Sequence, residues 1–336
     1  MNAKLFKYNK PFGLESGHQL PEIEIAYHTY GSLNKSKSNV VWICHALTAN
    51  SDCADWWSGL VGKGKVFDTA KYFIVCANIL GSCYGSSGPL TIDLNTNKKY
   101  YSSFPAVTIR DMVNAHILLR KHLGIEKIAI AAGGSMGGYQ VLEWAVMEKN
   151  LFSKMILTTT GAKESAWGIA IHTTQRLAIE TDPTWEDPSS DAGAKGLKTA
   201  RAVGMLTYRG YEAFVKTQTD NDEKLDNFKA SSYIHYQGEK LVKRFNVYSY
   251  WLLTKAMDSH NLARGRGELT KTLKSVKTKT LVIGISTDML CPVKEQKFLA
   301  KNLANATFKE IDSDYGHDGF LVEGEKITKE IEKFLH

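Results

Sequence analysis

The fold is decided by the stretch Ile128-Ala129-Ile130-Ala131-Ala132-Gly133-Gly134-Ser135-Met136-Gly137. Its first half is an apolar run of strand length, and residues 138–147 behind it have helical periodicity. The small residues around Ser135 suit a tight, strained turn that lifts a serine hydroxyl out to where a substrate reaches it. The stretch therefore predicts a strand, a sharp turn and a helix, with a nucleophile at the turn.

The same glycine pattern has a second interpretation. Glycines before a helix N-terminus also suit a phosphate-binding loop, because the first amides of a helix attract anions. The pentapeptide alone does not separate the two. A carboxylate and then a histidine further along the chain would favour the nucleophile, since triads built on such a turn run serine, acid, histidine.

Both partners are present in that order. Asp288 comes just after the apolar run 281–285, and His317 lies in a polar loop behind the run 307–311. The histidine would take the serine proton during attack, and the aspartate would hold the imidazole in the required tautomer. We therefore predict Ser135, Asp288 and His317 as a catalytic triad for acyl transfer through an acyl-serine.

His45 competes with His317 for the role of base. It ends the apolar run 40–44, but it precedes Ser135, against the expected chain order. The loop that begins at His45 should instead supply the amide of Leu47 to an oxyanion hole, with the amide of Met136 as the second donor. Each such donor typically lowers the barrier by about 2.7–4 kcal/mol.

The wider pattern indicates the α/β class. Apolar runs of strand length lie at residues 23–30, 40–44, 72–77, 127–132, 155–159, 281–285 and 307–311. Helix-period segments lie between and after them, at residues 107–123, 138–147, 294–303 and 326–334. This alternation predicts a mostly parallel central sheet with helices on both faces.

One interval breaks the alternation. Residues 163–266 contain helical patterns at 173–180, 196–206 and 238–257 but no convincing buried strand, with a loop at 182–193 and a hinge at 264–267. We predict a helical lid domain at 163–266, inserted between a first core segment at 1–162 and a second core segment at 267–336.

Composition limits the function classes. The 336 residues are 43% hydrophobic, which excludes a disordered or collagen-like chain, and the formal charge of +7 identifies no particular ligand. The five cysteines form no C-x-x-C pair, and no apolar run approaches membrane-spanning length. We expect a cytoplasmic protein that needs no metal and binds neither nucleic acid nor membrane.

Several ordered motifs then resemble the homoserine O-acetyltransferase family, α/β-hydrolase-fold enzymes that acylate homoserine from an acyl-CoA. They are His45-Ala46-Leu47-Thr48, Asp68-Thr69, Gly81-Ser82-Cys83, Gly85-Ser86-Ser87-Gly88-Pro89, Phe104-Pro105, Thr108-Ile109-Arg110-Asp111, Gly133–Gly138, Leu142-Glu143-Trp144-Ala145, His235-Tyr236-Gln237-Gly238-Glu239-Lys240 and Ser313-Asp314-Tyr315-Gly316-His317-Asp318. The resemblance covers nearly everything after residue 23. It implies the same triad and the same oxyanion amides.

The resemblance also implies three homoserine contacts, Arg201, Tyr208 and Asp318. Arg201 can clamp an α-carboxylate and Asp318 can accept from an α-ammonium, although Arg209 or Arg176 could serve in place of Arg201. The implied substrates are acetyl-CoA and L-homoserine, with no cofactor, in a homodimer that serves methionine synthesis. The implied lid would exclude water, because an acyl-serine in contact with water hydrolyses.

Two alternatives stay open at this level. The first alternative is another acyltransferase of the family, because relatives that use succinyl-CoA, or that acylate serine, share these motifs. Ala49-Asn50 stands where many relatives place a glycine, which alters the residues beside the acyl site. The second alternative is an esterase, which would need the same catalytic residues.

Overall fold

A computed structural model describes residues 2–336 of the chain. The described residues form twelve strands, β1 to β12 in chain order: Lys4–Tyr8, Phe12–Gly13, Gln19–Leu20, Ile23–Tyr30, Val40–Cys44, Phe73–Ala77, Ile92–Asp93, Lys98–Lys99, Ile128–Gly134, Phe152–Thr158, Lys279–Ile285 and Ala306–Ile311. Eight of them build the central sheet, in the order β1-β4-β6-β5-β9-β10-β11-β12. The strands from β6 to β12 in this order pair in parallel, which confirms the predicted sheet.

The antiparallel edge is formed by β1, β4 and β6. β1 was not among the expected strands, because most of its five side chains are exposed and two of them are lysines. An edge strand of this kind has neither a continuous apolar run nor a buried face long enough to show periodicity. β1 extends the sheet at the edge opposite β12.

The described residues also form twelve helices, α1 to α12: Cys53–Trp56, Ile109–His122, Met136–Met147, Ala166–Glu180, Ala194–Tyr208, Tyr211–Gln218, Lys229–Val242, Val247–Asp258, Leu269–Ser275, Val293–Asn302, Gly319–Val322 and Gly324–Leu335. They cover both faces of the sheet. In β5, Trp42 packs into one core with Met112 of α2, whereas Ile43 packs into the other core with Ile327 of α12. This division follows from the alternation of side chains along a strand.

Between residues 163 and 266 the chain forms helices α4 to α8 and no strand, apart from one isolated bridge between Lys163 and Asn261. The helical pattern at 238–257 does not form one continuous helix. Two helices, α7 and α8, replace it, because Asn246 accepts a hydrogen bond from the Ser249 amide at 2.8 Å and so starts a new helix. The division into three domain segments remains a prediction.

Within residues 2–336 there is no helix whose length and apolar character would let it cross a bilayer.

Candidate active site

Ser135 lies at the sharp turn between β9 and α3. Its backbone has φ 53° and ψ −127°, a conformation that non-glycine residues rarely adopt. The turn is possible only with small neighbours, because a Cβ on Gly137 would overlap the carbonyl oxygen of Cys44 on β5. The predicted sequence of strand, turn and helix is therefore the observed one.

Asp288 and His317 come together from the loops that follow β11 and β12. Asp288 Oδ2 lies 2.7 Å from His317 Nδ1. The other carboxylate oxygen accepts hydrogen bonds from the amides of Leu290 at 2.9 Å and Cys291 at 2.8 Å. These bonds fix the carboxylate, so that Nδ1 of the neutral imidazole carries the proton and Nε2 is left to accept one.

The electrostatics of His317 result from two opposing effects. Burial of the imidazole disfavours its protonated form, but the charge of Asp288 and its hydrogen bond outweigh the burial. The pKa of His317 is therefore raised above its usual 6.5. Such a group remains protonated to a higher pH than an exposed histidine.

Ser135 and His317 line one cavity of about 620 Å³. From the loops after the strands come Leu47, Tyr84, Ser135, Leu290, His317 and Asp318. From the helical segment come His172, Gln175, Arg201, Tyr208, Lys240 and Arg244. The cavity thus lies between the carboxyl ends of the parallel strands and helices α4, α5 and α7, where open α/β sheets usually bind ligands.

The two predicted oxyanion residues belong to the same region. Leu47 lines the cavity in the loop after β5, and Met136 is the first residue of α3. The amides of a first helical turn have no partner within the helix, so the Met136 N–H is suited to a bound anion. Asn50, close behind Leu47, also lines the cavity, and its Oδ1 accepts a hydrogen bond from the Asp52 amide at 2.8 Å.

The rival histidine has a different role. His45 is fully buried, its Nδ1 lies 2.9 Å from the Ala46 carbonyl oxygen, and its Nε2 accepts from the Ile79 amide at 3.3 Å. Burial lowers its pKa to about 4. With both ring nitrogens engaged, His45 is a neutral structural residue and does not line the cavity.

The three residues implied for homoserine also face the cavity. The Arg201 guanidinium lies 5.2 Å from the centre of the Tyr208 ring, and that ring lies 6.0 Å from the His317 ring. Asp318 Oδ2 lies 3.3 Å from Arg209 Nε. Burial raises the pKa of Asp318, an effect that Arg209, His317 and Arg201 reduce.

The alternative arginines are engaged elsewhere. Arg209 pairs with Asp318 and donates to the Tyr233 hydroxyl at 3.1 Å, and it is not a lining residue. Arg176 lies 2.5 Å from Asp258, which His172 also contacts, and Arg176 is not a lining residue. The geometry therefore favours Arg201 over both.

A metal ion has three candidate ligands here. Asp288, Cys291 and His317 offer ligand atoms within 4.8 Å of one another. Both carboxylate oxygens of Asp288 already have protein partners, and burial raises the pKa of the Cys291 thiol well above its usual value. Because a metal needs the thiolate, this cluster fits an aspartate–histidine pair better than a metal centre.

Apart from Arg201 and Tyr208, sequence reasoning missed the polar residues that the helices contribute. Gln175 falls within the helical pattern at 173–180, His172 comes just before it, and Lys240 was noted only as part of a motif. Helical periodicity reveals which face of a helix is apolar, but it does not reveal which polar residue the fold turns toward a distant serine.

This geometry defines a class of protein, the α/β hydrolases, and a family model described as the alpha/beta hydrolase fold matches residues 39–324. The homoserine O-acetyltransferase of Cyclobacterium marinum is 48% identical over 334 residues, covering 99% of this chain and 95% of that relative. The chain belongs to the homoserine O-acetyltransferase family.

Solved structures agree with this assignment. Homoserine O-acetyltransferase from Bacillus anthracis superposes with a TM-score of 0.93 at 25% identity, covering 100% of this chain and 98% of that one. Esterase E22 superposes with a TM-score of 0.91 at 24% identity, covering 99% of both chains. The second match shows the shared fold, which esterases and acyltransferases have in common.

Proposed function

We propose that this protein transfers an acetyl group from acetyl-CoA to the hydroxyl of L-homoserine, a step in methionine synthesis. One observation carries the proposal. A single cavity joins a strained serine and an aspartate-bound histidine to side chains of opposite charge, Arg201 and Asp318. A nucleophile alone would suit many esters, but the two charges suit the ends of an amino acid.

In the first half-reaction Ser135 Oγ attacks the thioester carbonyl. His317 Nε2 takes the serine proton, and the Asp288 carboxylate stabilises the resulting imidazolium. The amides of Leu47 and Met136 donate to the oxyanion of the tetrahedral intermediate. When that intermediate collapses, the C–S bond breaks, His317 returns the proton to the thiolate, and Ser135 is left acetylated.

In the second half-reaction His317 takes the proton of the homoserine hydroxyl. The alkoxide attacks the acetyl-serine, the same two amides stabilise the second oxyanion, and the proton returns to Ser135. Free CoA leaves before homoserine reacts, so ping-pong kinetics follow. Helices α4, α5 and α7 cover the serine, and this cover would restrict water as a competing nucleophile.

Each half-reaction draws on further residues of the cavity. Arg201 would hold the α-carboxylate of homoserine through its planar fork, while Asp318 accepts from the α-ammonium and Tyr208 packs beside both. Lys240 and Arg244 are exposed cations of the lining, and neither forms an ion pair within residues 2–336. They would receive the phosphates of CoA. We further propose a cytoplasmic homodimer.

A product experiment tests the proposal. The protein is incubated with acetyl-CoA or succinyl-CoA in the presence of homoserine, serine or water alone, and the acylated product is identified by mass. We expect O-acetylhomoserine, with thiol release that depends on homoserine. Equal hydrolysis without an acceptor would indicate an esterase instead.

The Ser135→Ala variant is the matched control for that experiment. Removing the nucleophile should reduce kcat on the order of a million-fold, as in other serine-triad enzymes. Mass spectrometry of the protein after acetyl-CoA alone should show an acetyl adduct on the wild type and none on this variant. A variant that retains most of its activity would contradict Ser135 as the nucleophile.

A further inference from the structure

Gln175 presents an unusual buried amide to the cavity. It lies on α4, is 1% exposed and lines the same space as Ser135 and His317. Among residues 2–336, neither its Nε2 nor its Oε1 has a hydrogen-bond partner. Buried side-chain amides are nearly always satisfied, so a complete lack of partners at a cavity wall points to a ligand.

Another buried glutamine shows that the fold can satisfy such a group. Gln140 on α3 donates through Nε2 to the carbonyl oxygen of His45 at 3.0 Å, and its Oε1 lies 3.1 Å from His116 Nε2. Both ends of that amide have protein partners. At Gln175 the burial is equally deep and both ends lack them, which costs stability unless substrate supplies the missing groups.

The neighbours of Gln175 indicate what the substrate would supply. A Cβ built on Gly204 of α5 would lie 3.1 Å from Gln175 Nε2 and 3.2 Å from the Tyr208 ring. Gly204 follows Arg201 by one helical turn, and Arg201 Nε is also buried without a partner. Donors from α4 and α5 thus converge beside Tyr208, whose ring neighbours His317.

An amide offers one donor group and one acceptor group about 2 Å apart. A carboxylate accepts hydrogen bonds and an ammonium donates them, so an α-amino acid satisfies both ends of an amide at once. A simple alcohol has only its reacting hydroxyl, which must lie beside His317, so it brings no second polar group to the amide, and a thioester donor brings no charged pair. The chemistry that fits Gln175 is therefore the zwitterionic head of the acceptor.

We propose that Gln175 binds the amino-acid head of the acceptor, with Nε2 donating to the carboxylate held by Arg201 and Oε1 accepting from the α-ammonium. This inference rests on the proposed acyl transfer to an amino-acid hydroxyl. It gives the site a means of selecting an amino acid over other alcohols, because an acceptor without the charged head leaves the amide unpaired.

The test is the variant Gln175→Met, which keeps the length of the side chain and removes both polar ends. We expect the KM for homoserine to rise roughly 10- to 100-fold, the range for a hydrogen bond to a charged group. The rate of acetyl-enzyme formation from acetyl-CoA alone should stay within about twofold, and transfer to propan-1-ol should be unchanged. The melting temperature without substrate should not fall, since an unpaired amide is replaced by an apolar group.

Two further variants provide comparisons for Gln175→Met. Gln175→Asn retains both polar groups one methylene further back and should give an intermediate KM. Gln296→Met is the control, because Gln296 is equally buried outside the cavity and donates to the Thr160 carbonyl oxygen at 2.9 Å. That variant should lose stability while its homoserine KM stays near wild type.

Three outcomes would be decisive. A homoserine KM within about twofold of wild type in Gln175→Met would overturn the inference and leave acyl transfer intact. Equal loss of acetyl-enzyme formation would also overturn it, since the residue would then serve the serine. If the wild-type protein forms the acetyl-enzyme but never acetylates homoserine, that result would instead contradict the proposed function and this inference with it.

Discussion

The conformation of Ser135 is held in place by hydrogen bonds to its amide and to its carbonyl oxygen. Its amide donates to the Thr158 carbonyl oxygen at 3.0 Å, and its own carbonyl oxygen accepts from the Gly138 amide and the Thr160 hydroxyl, each at 2.9 Å. A non-glycine residue in such a conformation costs of order 1–3 kcal/mol. Three bonds from the neighbouring strand and helix offset that cost and keep the hydroxyl at the cavity wall.

His317 should control the pH dependence of the reaction. Its pKa is raised above 6.5, and only the neutral imidazole can take the serine proton. We expect kcat/KM for acetyl-CoA to fall as pH drops through a midpoint above 6.5. In Asp288→Asn the burial remains and the largest opposing charge is gone, although Asp318 and Glu164 still favour the protonated form, so the midpoint should move to lower pH, while kcat falls roughly 10⁴-fold through the wrong tautomer.

The control for this pH profile is the variant Asp314→Asn, because Asp314 carries an exposed carboxylate in the same loop as His317. Its removal should leave both the midpoint and kcat near the wild-type values. If Asp288→Asn kept the wild-type midpoint, the Asp288 carboxylate would not be the group that raises the pKa of His317.

At the scale of elements, the sequence predicts most of the sheet because most of its strands, parallel or antiparallel, are buried on both faces. The runs at 23–30 and 40–44 agree with β4 and β5 residue for residue. The edge strand β1 and the break between α7 and α8 were not predicted, because they depend on pairing with β4 and on one capping asparagine. Neither feature leaves a periodic signal.

The candidate site also has one part that the sequence predicts and one part that it does not. Ser135, Asp288 and His317 follow predicted strands, so that chain order and position relative to the sheet were enough to select them. The residues of the helical segment depend on how α4, α5 and α7 pack over the sheet. Gln175 could not be chosen from the sequence, because its distinguishing property is an unmet hydrogen bond that exists only after folding.

Lys240 on helix α7 should affect the binding of the acyl donor and not that of the acceptor. Lys240 is an exposed cation of the cavity lining, and its proposed partners are CoA phosphates. Lys240→Ala should raise the KM for acetyl-CoA roughly 3- to 10-fold at low salt, and less at high salt, because exposed charges are screened. The KM for S-acetylpantetheine, which lacks the nucleotide, should not change.

Lys243→Ala provides the comparison for Lys240. Lys243 is exposed at the end of the same helix but does not line the cavity, so its removal should leave the acetyl-CoA KM within about twofold of wild type. If the two variants raised the acetyl-CoA KM equally, the effect would come from the overall positive charge of the surface. If neither changed it, Lys240 would not bind the CoA phosphates.

At the scale of the molecule, one buried carboxylate connects distant parts of the chain. Glu143 on α3 bonds Arg110 of α2 at 2.7 Å and Arg266 of the turn after the helical segment at 2.9 Å. Arg110 and Arg264 also bind Glu15 near the start of the chain, each at 2.6 Å. Two carboxylates and three arginines thereby tie the N-terminal segment and the return of the helical segment to the helix that follows Ser135.

Glu143→Ala should therefore lower the free energy of unfolding by about 1–3 kcal/mol, because it leaves the partly buried Arg266 without a counter-charge and leaves Arg110 with Glu15 alone. Burial raises the pKa of Glu143, but the hydrogen bonds and charges of Arg266 and Arg110 outweigh it, so the pKa is lowered below 4.5. The contribution should then be complete above pH 4.5 and disappear as pH falls below it. Urea unfolding at pH 7 and at pH 3.5 measures both effects. Lys333→Ala removes an exposed lysine from its pair with Glu330, which keeps Lys309, and should change stability by no more than about 0.5 kcal/mol. A comparable loss in the two variants would contradict the role of burial.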